Sequence, residues 1–508
     1  VGVLYFVAVA ALGVRASRRT RTTLDFYRAG SGIGLLSLTL AALSATLSGF
    51  AFIGGPGLVY SVGLGAVFIV LPAALTNALS GWVLAPQLRA LAEHRGVITI
   101  PEALAVRFES RAVHGASALA LLIAVVGYMA TNVLALGLAV DAIFGIGLGP
   151  GIWLGALVVL AYAAGGGIIA GIDTDVLQGL WMTLASVLVF AFVLKVGGTL
   201  GGNLATGGSL ADLAAPGDSL GTAGSVGGLG PLSDPGTGLE AITRTIAAAD
   251  PEFLSPWGHL DPIAAVSFFF VFSVGVLGQP HVLHKFFMLR DRRQLRWYPL
   301  LMSGALILAT LLFFGVGMAV KALVIDGSMD ALARPDDATP RFLLEHTPAL
   351  LAALVFSSVA AAIMSTLNSF VNVGAAALTH DLPQILGRTP SEHLGPPRVA
   401  TALLVVAAAL VAQLSGTLVA FLGIFGWGLF ASCFVPALAV GLNWPEATRQ
   451  GALASILTGL LGTLAMETAA WFGLLTLPEG LTVSALTLTV SLLVFVLVSA
   501  VTAPNAAN

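Results

Sequence analysis

Thirteen apolar runs joined by more polar links leave this chain few ways to fold. They cover residues 1–14, 33–56, 57–85, 112–145, 152–171, 175–199, 261–288, 298–325, 349–380, 398–414, 417–443, 450–473 and 481–503. A helix of roughly 20 apolar residues crosses a bilayer. In lipid it satisfies all its own backbone amides and carbonyls, as an open sheet does not. Of the 508 residues, 57% are hydrophobic and 9% charged, whereas soluble domains carry roughly 25% charged residues. The expected fold is an all-α polytopic membrane protein with about 13 transmembrane helices. A net charge of −3 without any basic cluster excludes a nucleic-acid footprint.

Charge placement orients the chain. Arg15, Arg18, Arg19, Arg21 and Arg28 lie between the first two runs, and Arg89, Arg95, Arg107 and Arg111 between the third and fourth. Lys285, Arg290, Arg292, Arg293 and Arg296 follow the seventh, and Arg388, Arg398 and Arg449 occupy later links on the same side. Seventeen of the 22 basic residues thus share one side. Short basic loops stay cytoplasmic, so the N-terminus is expected outside a cell membrane and the C-terminus inside. Residues 1–14 lack the charged start and cleavage site of a signal peptide, and the missing initiator methionine suggests a trimmed start. The lone cysteine, Cys433, reads as a small buried hydrophobe.

One transmembrane domain is expected over 1–503, with a core of 33–199 and 261–443, peripheral helices at 450–503 and a tail at 504–508. The link 201–260 is external and Gly-rich; 201–238 reads as a flexible connector. The piece 247–257 is a candidate to pack over the outer mouth. No stretch reads as an attached soluble module. Three lysines, none following a glycine, leave no phosphate-binding P-loop.

Two runs are interrupted. The second carries Ser44-Ala-Thr-Leu-Ser-Gly-Phe-Ala-Phe-Ile-Gly-Gly-Pro-Gly57, where Pro56 lacks an amide proton and its neighbouring glycines hold helix poorly. The seventh carries Gly275, Gly278 and Pro280 within Phe268-Phe-Phe-Val-Phe-Ser-Val-Gly-Val-Leu-Gly-Gln-Pro-His281. These breaks open two successive sets of five spans, as in an inverted-repeat transporter with its site at the breaks. The ninth run presents Ser358, Ser365, Ser369 and Asn372 at helical spacing, with Thr366 beside them. Such residues serve ordinary helix packing in membranes, or their oxygens join freed carbonyls around a monovalent cation. Asp173 and Asp175 fall at an expected turn opening the sixth run. There they cap the helix, or one of them watches an ion exit. His281 and His284, three apart, would be the metal ligands of a membrane-embedded enzyme, but no carboxylate accompanies them.

The chain resembles the sodium:solute symporters, relatives of the sodium/glucose, sodium/proline and sodium/pantothenate carriers. The resemblance rests on the Ser48-Gly49…Gly54-Gly-Pro-Gly57 break, Gly166-Gly-Ile-Ile-Ala170…Thr174-Asp175…Gln178, Gly278-Gln-Pro-His281 and Ala361-Ala-Ile-Met-Ser-Thr-Leu-Asn368. It implies a LeuT-like five-plus-five core with discontinuous helices, and Na+ as coupling ion. By position, backbone oxygens of Ser44, Leu47 and Ala362 and the hydroxyls of Ser365 and Thr366 would bind Na+, and Asp175 would help it leave. The proline branch has an Asp where this chain has Thr46, and Phe52-Ile-Gly-Gly-Pro-Gly57 reads closer to the pantothenate branch.

The function this implies is sodium-coupled import of a small organic solute by a monomer or weak homo-oligomer, not an enzyme. A transport-like membrane sensor of a solute is the alternative. Sugars need many hydrogen-bonding side chains, yet Val67-Phe-Ile-Val-Leu-Pro-Ala-Ala74 offers none. A carboxylate-bearing solute with an apolar body is expected: pantothenate, a short monocarboxylate or an amino acid such as proline. Phe52, Asn132, Phe272, Gln279 and Trp427 are its expected pocket.

Overall fold

The computed structural model describes residues 2–17, 33–206, 235–391, 393–416, 419–478 and 480–503. Arg18, Arg19, Arg21, Arg28, most of the 201–238 connector and the 504–508 tail therefore lie outside the described residues. Within them, ten helical stretches are long and apolar enough to cross a membrane, and Leu35–Thr46 and Leu148–Ala161 are shorter apolar helices. The chain is an all-helical membrane protein, without the clean division into thirteen crossings that the apolar runs implied.

Three helical stretches form the centre. The apolar windows of Leu422–Val440, Arg111–Phe144 (α7) and Ala349–Ile385 are 83%, 78% and 72% buried within the protein, against 33% for Arg449–Trp471 and Val483–Thr502. The last two therefore turn most of their surface to lipid. Side-chain caps start many helices: Thr99, Ser110, Thr448 and Thr482 each accept an amide three residues on.

The second run breaks earlier than its Gly-Gly-Pro-Gly cluster suggests. Helix α2 (Leu35–Thr46) stops at Leu47, which is extended at φ −76°, ψ 108°. A π-turn over Phe50–Gly54 then leads directly into α3 (Gly55–Val62). Pro56 sits in the first turn of α3, where its missing amide proton costs nothing. The chain reverses at Gly63, whose φ of 68° leaves a side chain no room against the Phe253 carbonyl. In the seventh run, helix Pro262–Gly275 (α10) passes through a 3₁₀ turn and breaks at Gln279, at φ −89°, ψ 94°. Ile33 at the start of α2 pairs with the chain beyond that second break, through Ile33 N to Met288 O (3.3 Å) and Arg290 N to Ile33 O (2.9 Å). The two interrupted runs are thereby tied at their arginine-rich ends.

The turn expected at Asp173–Asp175 is absent. Helical geometry runs through it, within Leu148–Thr206 (α8), so neither carboxylate caps a helix start.

At the opposite end, residues 247–260 pack on the turn that follows α3. Trp257 stacks on Phe68 at 5.1 Å, and the His259 amide donates to Val62 O at 3.0 Å. Asp250 fastens this segment, accepting from Lys321 at 2.8 Å, from His259 at 3.0 Å and from the Phe253 amide at 3.2 Å. Partial burial raises its pKa, but the Lys321, His259 and Phe253 hydrogen bonds outweigh that and hold it at about 2. A depressed carboxylate pKa adds stability above its unfolded value of roughly 3.9 and loses it as pH falls through the folded value. The stability difference between wild type and Asp250→Asn should therefore be constant above about pH 4 and shrink between about pH 4 and about pH 2. Thermal unfolding in detergent across that range measures it.

Candidate functional site

The break after α2 turns its last carbonyls away from helical partners and towards the middle of Ala349–Ala376 (α13). The Ser365 hydroxyl donates to Ser44 O at 2.6 Å and lies 3.1 Å from Ala362 O in its own helix. The Thr366 hydroxyl faces Leu47 O at 3.0 Å, Ala45 O at 3.2 Å and Ser44 O at 3.4 Å. Ser44, Leu47, Ala362, Ser365 and Thr366 are thus brought together, with Ala45 as an addition sequence reasoning missed. All four polar or charged side chains involved here and below (Ser44, Ser365, Thr366, Asp175) are fully buried. These donors are neutral oxygens, the chemistry of a hard monovalent cation; a Ca²⁺ site would draw on several carboxylates.

Two amides hold the breaks open. Asn132 Oδ1 accepts the Gly49 amide at 2.9 Å, and its Nδ2 donates to Tyr128 O at 3.2 Å. Gly49 itself cannot carry a side chain, because a Cβ would stand 2.5 Å from Ala135 Cβ. Gln279 Nε2 spans the second break, donating to Gly275 O at 3.0 Å and facing Trp427 O at 3.4 Å. Asn132 and Gln279, expected in the solute pocket, instead support the backbone beside it. Ser369 and Asn372 lie elsewhere on α13, outside the oxygen cluster.

A cavity of about 60 Å³ opens next to the first break. Phe272 and Trp427 line it as expected, joined by Thr46, Phe50, Tyr128 and Phe313. Phe50 stacks on Phe272 (6.2 Å, 20°) and Phe272 on Trp427 (5.3 Å, 22°). Phe52 does not line the cavity. The π-turn rotates it into the core, where its carbonyl accepts from Thr339 at 2.8 Å. Phe50, two residues earlier, faces the cavity instead, within a turn that holds one residue more than an α-helical one. Thr46 accepts from Asn77 at 3.4 Å, and no charged side chain lines the space.

Asp175 is paired. Lys285 Nζ lies 2.7 Å from its Oδ2, and the two side chains are 3% and 1% exposed. Lys285, a loop cation by its place among the arginines, is buried in the turn His284–Met288. The available signal was the run Phe286-Phe287-Met288 directly after it. His281 and His284 diverge: His281 packs on Phe370 at 4.0 Å, while His284 Nε2 donates to Ile98 O at 2.9 Å. Among the described residues, no group of three or more His, Cys, Asp or Glu is placed to hold a metal ion.

Paired broken helices around a central helix make a LeuT-like fold, and solved structures share it. A Na+-coupled sialic acid symporter superposes with a TM-score of 0.73 at 18% identity, covering 99% of this chain and 97% of that one. The nucleobase-cation-symport transporter Mhp1 does so at 0.52 and 14%, covering 93% and 92%. The chain belongs to the sodium:solute symporter family, whose model matches residues 26–210 and 226–459. Its relatives include the osmoregulated proline transporter OpuE of Bacillus subtilis, 26% identical over 90% of this chain and 86% of that protein. The sodium/pantothenate symporter of Escherichia coli is 25% identical over 90% and 88%. The sodium/proline symporter of the same organism is 25% identical over 93% and 88%.

Proposed function

We propose that this protein imports a small carboxylate-bearing solute together with Na+, by alternating access. The observation carrying this reading is the oxygen cluster between the α2 break and α13. There the Ser365 and Thr366 hydroxyls point at the carbonyls with which they would share an ion. Binding Na+ turns these hydroxyls from donors into ligands and draws the loose end of α2 onto α13. Because Phe50 and Thr46 flank that end, ordering it also shapes the adjoining cavity. The arginine-rich end faces the cytoplasm in this reading. One charge moving inward through 100 mV supplies about 2.3 kcal/mol, roughly fiftyfold accumulation before any sodium gradient is added.

Aromatic faces and a lack of charged lining suit a compact solute with an apolar body. Proline and pantothenate, named for the relatives, both fit that description. A competition panel in proteoliposomes tests it: proline, pantothenate or a short monocarboxylate should accumulate in sodium and not in potassium. Saturable glucose or galactose uptake that none of these inhibits contradicts the proposal. Trp427→Ala should raise the half-saturating solute concentration at least roughly tenfold, since an aromatic wall contributes about 1.5–3 kcal/mol. Sodium activation, set at the α2–α13 cluster, should stay within about a factor of three.

A further inference from the structure

Lys285 has no part in the oxygen cluster, yet it is a buried ammonium paired with the carboxylate of Asp175. Its partner Asp175 stands beside Ser44, and the Ser44 carbonyl is the one that Ser365 touches at 2.6 Å. Oδ2 of Asp175 takes Lys285 at 2.7 Å, and Oδ1 is buried. The backbone around Lys285 is anchored from three directions. His284 donates to Ile98 O, Arg89 Nη1 faces Phe287 O at 3.4 Å, and Ile33 donates to Met288 O. The flexible part of Lys285 is its four-carbon stem.

Resting on the sodium-symport reading above, we propose that Lys285 is a tethered competitor of the transported ion. It neutralises Asp175 when no Na+ is near, and it gives way when Na+ leaves the cluster along Ser44 towards Asp175. A buried carboxylate without a cation is costly, so one cation must replace the other. Two cations held side by side on one carboxylate repel. An arriving Na+ therefore displaces the ammonium, whose flexible stem lies on the arginine-rich side of the site and can carry it to water. Ion arrival and the clearing of the inward route become one event. Return of Lys285 to Asp175 then expels Na+ and refills the site, which opposes rebinding from the cytoplasm.

Equilibrium binding of radioactive sodium to the purified full chain tests this without knowledge of the solute. Lys285→Gln removes the competitor and should tighten sodium binding roughly tenfold, within the usual range of coupling between sites. Adding Asp175→Asn to Lys285→Gln should abolish the gain, because the two act through one carboxylate. Lys285→Arg is the variant to read where Lys285→Gln fails to fold. Its guanidinium grips a carboxylate with two hydrogen bonds, so it should weaken sodium binding several-fold. Unchanged sodium affinity, within twofold, in a folded Lys285→Gln or in Lys285→Arg overturns the proposal. A wild-type chain that binds no sodium overturns the symport reading itself, a different result from sodium binding that ignores Lys285.

Discussion

Replacing both hydroxyls of α13, in Ser365→Ala with Thr366→Ala, should raise the sodium concentration for half-maximal uptake by two orders of magnitude or more. Each hydroxyl lies against carbonyls of the broken α2, Ser365 on Ser44 and Thr366 on Leu47. Each would replace part of the hydration shell that sodium gives up. A hydrogen-bonding group facing a charged partner is worth about 1.5–3 kcal/mol, and 1.4 kcal/mol is a factor of ten. Losing two therefore costs a factor of roughly a hundred at least. Folding should be less affected, since α13 keeps its backbone hydrogen bonds and alanine is the best helix former. Sodium titration of uptake in proteoliposomes reads the shift. Wild-type sodium dependence in the double variant would remove the cluster from the mechanism.

Asp175→Asn should destabilise the protein by about 3–5 kcal/mol, the cost of leaving one partner of a buried ion pair alone. Here the partner left behind is Lys285, 3% exposed. Asp173, half-buried two positions away, should tolerate the same change to within about 0.5 kcal/mol. Neutralising both members, Asp175→Asn with Lys285→Met, should recover much of the loss, because an uncharged pair needs no counter-ion. Unfolding transitions of the purified variants in detergent measure all three. Equal effects at Asp173 and Asp175 would mean that the ion pair contributes nothing specific and would return both residues to a common structural role.

The parts legible in the sequence were those written as composition and spacing. Apolar runs announced membrane helices, and Gly and Pro marked the two discontinuous spans. The hydroxyls at Ser365 and Thr366 were legible as part of a polar face that suits either helix packing or a cation, and the family resemblance singled them out as ion ligands. What stayed hidden was set by backbone geometry. The Gly-Gly-Pro-Gly cluster looked like the break, yet Pro56 fits the first turn of α3 and the chain opens at Leu47. The π-turn that follows brings Phe50 to the cavity and buries Phe52. Asn132 and Gln279 looked like solute ligands because buried amides are conspicuous. In the fold they satisfy backbone groups that each break would orphan. Lys285 was read with its neighbouring arginines as a loop charge, since one-dimensional charge counting cannot see a carboxylate 110 residues away.

The central claim is that solute and sodium cross together through the site at the α2 break. Sodium-loaded medium outside proteoliposomes of the full chain, traced with radioactive sodium, measures this directly when proline or pantothenate is added outside. The account predicts that the solute evokes sodium influx, that influx and solute uptake saturate together, and that Ser365→Ala with Thr366→Ala suppresses both. Solute accumulation with no accompanying sodium influx, or sodium influx indifferent to the solute and to those two hydroxyls, would contradict it.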